Sequence, residues 1–143
     1  MVAERALVDT NVLISAVDPD RRDHASALAL LEGGHDLVVA PQVAREFLGA
    51  CTRPIADNGL GHDPAVAAAN LRELLSALAI VEEDEVVTHR LISFVGADRA
   101  RGKQVHDAHL VATALRHGVT RIITSNRRHF ERFADLIDVV PLS

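Results

Sequence analysis

The chain has one cysteine, Cys51, no tryptophan and no tyrosine, and four phenylalanines are its whole aromatic complement. A single cysteine excludes an intramolecular disulfide and a four-cysteine zinc site, which argues against redox chemistry. The shortage of flat side chains leaves little surface on which nucleobases could stack. No uninterrupted apolar run approaches the roughly 18 residues of a membrane span, and the opening Met1 to Arg5 is not followed by a secretory apolar region. We therefore expect a cytoplasmic protein with no membrane association. Fifteen Lys and Arg against twenty Asp and Glu leave a net charge of -5, too acidic for a protein that coats nucleic acid by overall basicity.

What is present is enough apolar material for a core. At 143 residues, 48% hydrophobic and 24% charged, the chain fits one packed domain, residues 1–143, with no room for a second core. The charge is unevenly spread. Between Arg99 and Arg132 there are eight basic residues against only Asp107 and Glu131, a surplus of six on an otherwise acidic chain whose densest acidic run is Glu82 to Glu85.

The order of apolar segments alternates between strand and helix patterns. Ala6-Leu7-Val8 is a buried strand ending in the polar turn Asp9-Thr10-Asn11, and a helix follows through Val12-Leu13-Ile14. A second helix runs from about Arg22 to Glu32 with Ala25, Leu28 and Leu31 inward, stopped by Gly33-Gly34. Leu37 to Ala40 is a strand, Pro41 opens a helix to about Thr52, and Arg53 to His62 has the composition of an exposed loop. Asp63-Pro64 starts a helix through Ala77, Leu78 to Val81 is a third strand, and helices over 84–96 and 105–117 flank a charged connection. Arg121 to Thr124 is a fourth strand, a short helix covers 127–133, and a last strand lies around Ile137 to Val140. This alternation predicts an α/β domain with a mostly parallel sheet covered by helices, whose ligands gather at the carboxyl ends of strands.

Three carboxylates stand where apolar or small neighbours predominate. Asp9 directly follows a buried strand; taken alone, an ordinary helix N-cap accounts for it. Asp107 shares a helical stripe with Leu110, Val111, Ala114 and Leu115, and its first-turn position explains the turn but not the face. Glu46 lies among Val43, Phe47, Ala50 and Cys51, where a salt bridge to an arginine such as Arg45 is the plain alternative. If all three meet at one sheet edge with Asn126 beside them, they repel one another unless a cation sits among them. An all-oxygen set selects Mg2+ or Mn2+ over zinc, and such an ion keeps waters that a phosphate can replace. The chemistry that follows is phosphodiester hydrolysis by a metal-activated water, with a second ion an open alternative.

Four segments together resemble the PIN-domain ribonucleases, and among them the VapC toxins of bacterial and archaeal toxin–antitoxin pairs. They are Leu7-Val8-Asp9-Thr10-Asn11-Val12-Leu13, the helical Glu46, His106 to Ala114, and Ile122 to Phe130. The resemblance runs through the chain in the right order. It implies an α/β/α sandwich and a magnesium-dependent endoribonuclease whose acids are Asp9, Glu46 and Asp107. Family members often carry a fourth acid, where this chain has Asn126, a neutral oxygen donor able to act on a metal through water. Thr10 and Ser125 would orient ligands by hydrogen bonding. Arg99, Arg101, Lys103, Arg127 and Arg128 flank the site in sequence and would hold an RNA backbone. The resemblance also implies a cognate antitoxin protein and raises a homodimer as an expectation.

Three other readings stay in view. His106-Asp107, with His89, His109 and His117, suggests the HD-type phosphohydrolases, although a helix splays His106 and His109 around its axis away from Asp107. A catalytically inert RNA-binding or interaction module of the same fold would bind RNA equally well with chelator. A DNA-directed nuclease would reverse the substrate preference.

Overall fold

Short runs of Val, Leu and Ile bounded by polar residues become strands, and the longer Ala- and Leu-rich stretches between them become helices. The computed structural model describes residues 4–143; Met1 to Ala3, where the reading of the chain start as leaderless begins, lie outside the described residues. The order is β1 (Ala6–Val8), α1 (Thr10–Val17), α2 (His24–Glu32), β2 (Leu37–Val39), α3 (Pro41–Thr52), α4 (Pro64–Leu75), β3 (Ala79–Ile80), α5 (Glu85–Gly96), α6 (Gln104–Arg116), β4 (Arg121–Thr124) and β5 (Asp138–Pro141). The sheet is parallel throughout, in the order β3-β2-β1-β4-β5. No helix among the described residues is long and apolar enough to cross a membrane.

That strand order decides where a site can form. The chain steps outward from β1 to β2 and β3, then returns to lay β4 on the other side of β1. Right-handed crossovers in opposite directions put α1–α4 on one face and α5–α6 on the other, giving three layers. The packing agrees: α1 lies against α2 and α3, α3 against α4, and α5 against α6. The reversal falls between β1 and β4, the position at which open parallel sheets place a ligand crevice outside the carboxyl ends of their strands. Leu7 pairs with Ile122 and Val8 with Ile123, which brings Asp9 and Thr124 out of the sheet side by side.

Leu7, Val8, Val38, Val39 and Ile122 are fully buried in the central strands, with Phe47 from α3 and Phe130 and Phe133 from the turns after β4 filling the largest spaces. The predicted third strand shrinks to Ala79–Ile80, both exposed, because β3 is a sheet edge and only its flank Val81 is buried. In α2 it is Ala27 that is fully buried while Ala25 is exposed and Leu28 and Leu31 are half-buried; the run His-Ala-Ser-Ala-Leu-Ala-Leu-Leu-Glu is too uniformly apolar to mark one face. The short helix expected at 127–133 is instead two 3-10 turns, Arg127–His129 and Glu131–Phe133. The loop after α3 is exposed yet tied back onto that helix, with the Leu60 and His62 amides donating to the Ala50 and Cys51 carbonyls. Only glycine fits at 59, where an added Cβ would lie 1.9 Å from the Arg53 carbonyl oxygen.

Candidate active site at the carboxyl edge of the sheet

Asp9 ends β1 and caps α1. Its Oδ1 accepts from the Thr10 amide at 2.8 Å, and its Oδ2 accepts from the Thr124 hydroxyl at 2.8 Å and the Asn11 side-chain amide at 3.2 Å. The N-cap and the strand-end position are thus one and the same feature, and the cap does not use up the carboxylate. Burial pushes the Asp9 pKa up, opposed by the Thr124 and Thr10 hydrogen bonds, and the nearby charge of Glu46 adds to the rise.

Thr124 is the hub of this corner. Its hydroxyl, fully buried at the end of β4, donates to Asp9, accepts from Asn11 Nδ2 at 3.2 Å and accepts from the Asn126 amide at 3.0 Å. Asn11 Oδ1 in turn accepts from the Ser125 amide at 3.1 Å, so Asn11 staples the turn after β1 to the turn after β4.

Glu46 is exposed on α3, but each of its oxygens is held. Thr10 Oγ1 donates to Oε2 at 2.8 Å, and Gln42 Nε2 donates to Oε1 at 2.7 Å. Arg45, the alternative partner for Glu46, instead lies 3.9 Å from Glu83. Asp107 is half-buried in the first turn of α6, on the face that buries Leu110, Val111 and Ala114. Its pKa is pushed up to about 6, chiefly by burial; His129 and Arg132 pull it down, and Asp9 and Glu46 push it up. The three acids therefore share one electrostatic neighbourhood at the sheet edge.

The other expected positions divide. Asn126 is exposed beside the edge, with its side-chain nitrogen 3.0 Å from His129 Nε2. Thr10 holds Glu46 as described, whereas Ser125 contributes its backbone amide, and its hydroxyl acts on Asp23, whose pKa is lowered first by the Ser143 hydroxyl. Arg99 is bound by Asp135 at 2.5 Å, donates to the Arg132 carbonyl and stacks 5.0 Å from the Phe133 ring centroid. Arg101 is held by Asp98 at 2.6 Å. Lys103, Arg127 and Arg128 are exposed and form no salt bridge among the described residues. Arg127 and Arg128 line a cleft of about 360 Å³ with Arg22, Ser125 and Asn126, and a second open cleft of about 610 Å³ lies on the Thr10 and Glu46 side.

Sequence reasoning missed Asn11, Gln42 and Thr124. The last had a signal, since it is the final residue of a buried strand; Gln42 had a weaker one, four residues before Glu46 on the same helix face. Two of the histidines of the HD-type reading have partners other than Asp107: His109 Nε2 is 3.8 Å from Glu83 and His117 Nε2 bonds the Glu82 carbonyl at 2.7 Å. Among the described residues no three His, Cys, Asp or Glu side chains form a ready-made metal cage. The donor chemistry nevertheless fits a hard ion, because Asp9, Glu46, Asp107 and Asn126 all offer oxygen and burial raises the pKa of Asp9 and Asp107.

The PIN domain family model matches residues 6–136. The chain belongs to the PIN domain family. A search of curated protein sequences finds no match. Solved structures share the fold across nearly the whole chain at low identity. A toxin–antitoxin complex from Klebsiella pneumoniae is 22% identical with a TM-score of 0.66, covering 96% of this chain and 98% of that one. FitAcB from Neisseria gonorrhoeae is 21% identical, TM-score 0.69, covering 96% and 97%. VapC20 of Mycobacterium tuberculosis, described as a sarcin-ricin loop cleaving toxin, is 19% identical, TM-score 0.68, covering 95% and 99%. In this PIN domain, the sheet edge described above is the place where chemistry is to be sought.

Proposed function

We propose that this PIN domain is an endoribonuclease that requires Mg2+ or Mn2+ and serves as the toxin of a toxin–antitoxin pair. The observation that carries the nuclease reading is the gathering of Asp9, Glu46 and Asp107, from β1, α3 and α6, around the crevice where the strand order reverses. The toxin assignment and the antitoxin partner rest on the likeness to the Klebsiella toxin–antitoxin complex and to the toxin VapC20. A homodimer and a cytoplasmic location belong to the same proposal.

Asp9, Glu46 and Asp107 would hold the ion, partly through waters, with Asn126 reaching it through water. Such an ion polarises a phosphoryl oxygen and lowers the pKa of a bound water. The protein's part is positional. Thr10 holds one Glu46 oxygen, and Thr124 with Asn11 fixes the Asp9 carboxylate while tying it to the turn that carries Asn126. Arg132 places positive charge near Asp107, where the phosphate of a bound strand would lie. Lys103, Arg127 and Arg128 are the cations left to hold RNA backbone, since Arg99 and Arg101 are spent on Asp135 and Asp98. With few aromatics, recognition relies on RNA shape and hydrogen bonding.

The test is cleavage of RNA by purified protein with Mg2+ or Mn2+, with EDTA, and by Asp107→Asn. Water attacking phosphorus breaks the bond to the 3′-oxygen and leaves a 5′-phosphate and a 3′-hydroxyl. Those ends, lost with EDTA and in the variant, are the expected result. A 2′,3′-cyclic phosphate, or cleavage that persists in EDTA, would overturn the reading. RNA binding that is unchanged by chelator, with no cleavage across diverse RNAs, would favour the inert module, and preferential DNA cleavage would make it a DNA nuclease.

A further inference from the structure

We infer that Gln42 is a positioning residue that sets the distance between Glu46 and the helix turn bearing Asp107. The inference rests on the nuclease reading for its purpose, but its geometry stands independently. Gln42 is 3% exposed at the second position of α3, one turn before Glu46. Its Nε2 donates one hydrogen to Glu46 Oε1 at 2.7 Å and the other to the His106 carbonyl at 3.0 Å, the residue immediately before Asp107. One amide group thereby joins two acid-bearing helices that reach the site from opposite faces of the sheet.

A purely structural role explains this residue poorly. Among the described residues its Oε1 is buried and accepts no hydrogen bond. A buried acceptor without a partner is costly, and methionine would fill nearly the same volume with no unpaired atom. What glutamine supplies and methionine does not is the pair of N–H donors. The backbone of Gln42 is itself fixed, because Glu83 Oε1 accepts from its amide at 2.7 Å and so caps a helix whose own N-cap residue, Ala40, has no side-chain acceptor. With Thr10 on the other oxygen, an exposed glutamate that would otherwise sample many rotamers is confined to one.

Groups that orient a metal ligand without touching the metal typically control affinity by about 10- to 100-fold. The experiment compares wild type with Gln42→Met and Gln42→Asn, the latter keeping an amide but one methylene too short to bridge. Mn2+ affinity is read by electron paramagnetic resonance, Tm is read without metal, and exchange of the Gln42 side-chain amide protons is followed by NMR in the metal-free protein. We expect both variants to keep the metal-free Tm within a few degrees and lose about tenfold or more in Mn2+ affinity. The wild-type amide protons should exchange slowly and shift when Glu46 is replaced by alanine. Unchanged Mn2+ affinity in both variants, or fast exchange with no shift, would overturn the inference. If wild type binds no Mn2+ while the amide protons are protected and respond to Glu46→Ala, the metal reading falls and the positioning of Glu46 stands.

Discussion

Asp9 and Asp107 are two carboxylates in one site held in opposite ways. Asp9 is 8% exposed and receives three donors, from the Thr10 amide, the Thr124 hydroxyl and the Asn11 amide, so the fold itself depends on its oxygens. Asp107 is half-buried and, among the described residues, its carboxylate accepts no side-chain hydrogen bond; His129 and Arg132 lower its pKa while Asp9 and Glu46 raise it. The first is a structural cap that lies at the proposed site. The second is a half-buried carboxylate whose burial the folded chain only partly offsets, as the proposed cation site would require.

The largest effect should erase the difference between them. Asp9→Asn and Asp107→Asn are both expected to lose more than about 100-fold in RNA cleavage, exceeding the loss typical of groups that only support a metal ligand; activity within tenfold of wild type in either would break the account. Stability should then separate the pair. Asp9→Ala removes a helix cap and leaves the Thr124 and Asn11 donors unpaired, for a loss of about 1–3 kcal/mol in urea unfolding, while metal-free Asp107→Ala should lose nothing. Equal losses would dissolve the contrast.

A pH series sharpens it further. Because the folded-state pKa of Asp107 lies at about 6, above its ordinary value of 3.8, the folded state binds the proton more tightly than the unfolded one. Its contribution to stability is present below the ordinary value and lost as pH rises toward and through 6. Asp9 is shifted in the same direction. Metal-free protein should thus lose part of its stability between pH 4 and 7, and Asp107→Asn should flatten that decline; a variant with an unchanged pH profile would count against the assignment. The smallest effect concerns the arginines. Arg127→Ala and Arg128→Ala should each lower the salt dependence of single-stranded RNA binding by about 0.7 in the log–log slope, while Arg99→Ala should cost stability of about 1 kcal/mol and leave the slope alone.

The strand ends were legible because a buried run that stops in Asp-Thr-Asn, and another that stops in Thr-Ser-Asn, mark the edge of a parallel sheet without reference to anything distant. Asp107 was legible because helical periodicity put it on the stripe with Leu110 and Val111. Both signals are local. What escaped depended on partners far along the chain: Arg99 meets Asp135 and two phenylalanines, and Gln42 meets His106 and Glu83, pairings that no periodicity encodes. The edge strand β3 escaped its true length because Leu78 to Val81 is apolar for reasons of packing at its flanks, while Ala79 and Ile80 face solvent.

The most direct test of the central claim, that Asp107 is an uncompensated charge placed for a divalent cation, is the Tm of wild type and Asp107→Asn at pH 7.5 with and without Mn2+. The account predicts that the variant melts higher than wild type without metal and gains little from Mn2+, while wild type gains substantially. A variant that melts lower without metal and is stabilised by Mn2+ as much as wild type would contradict it.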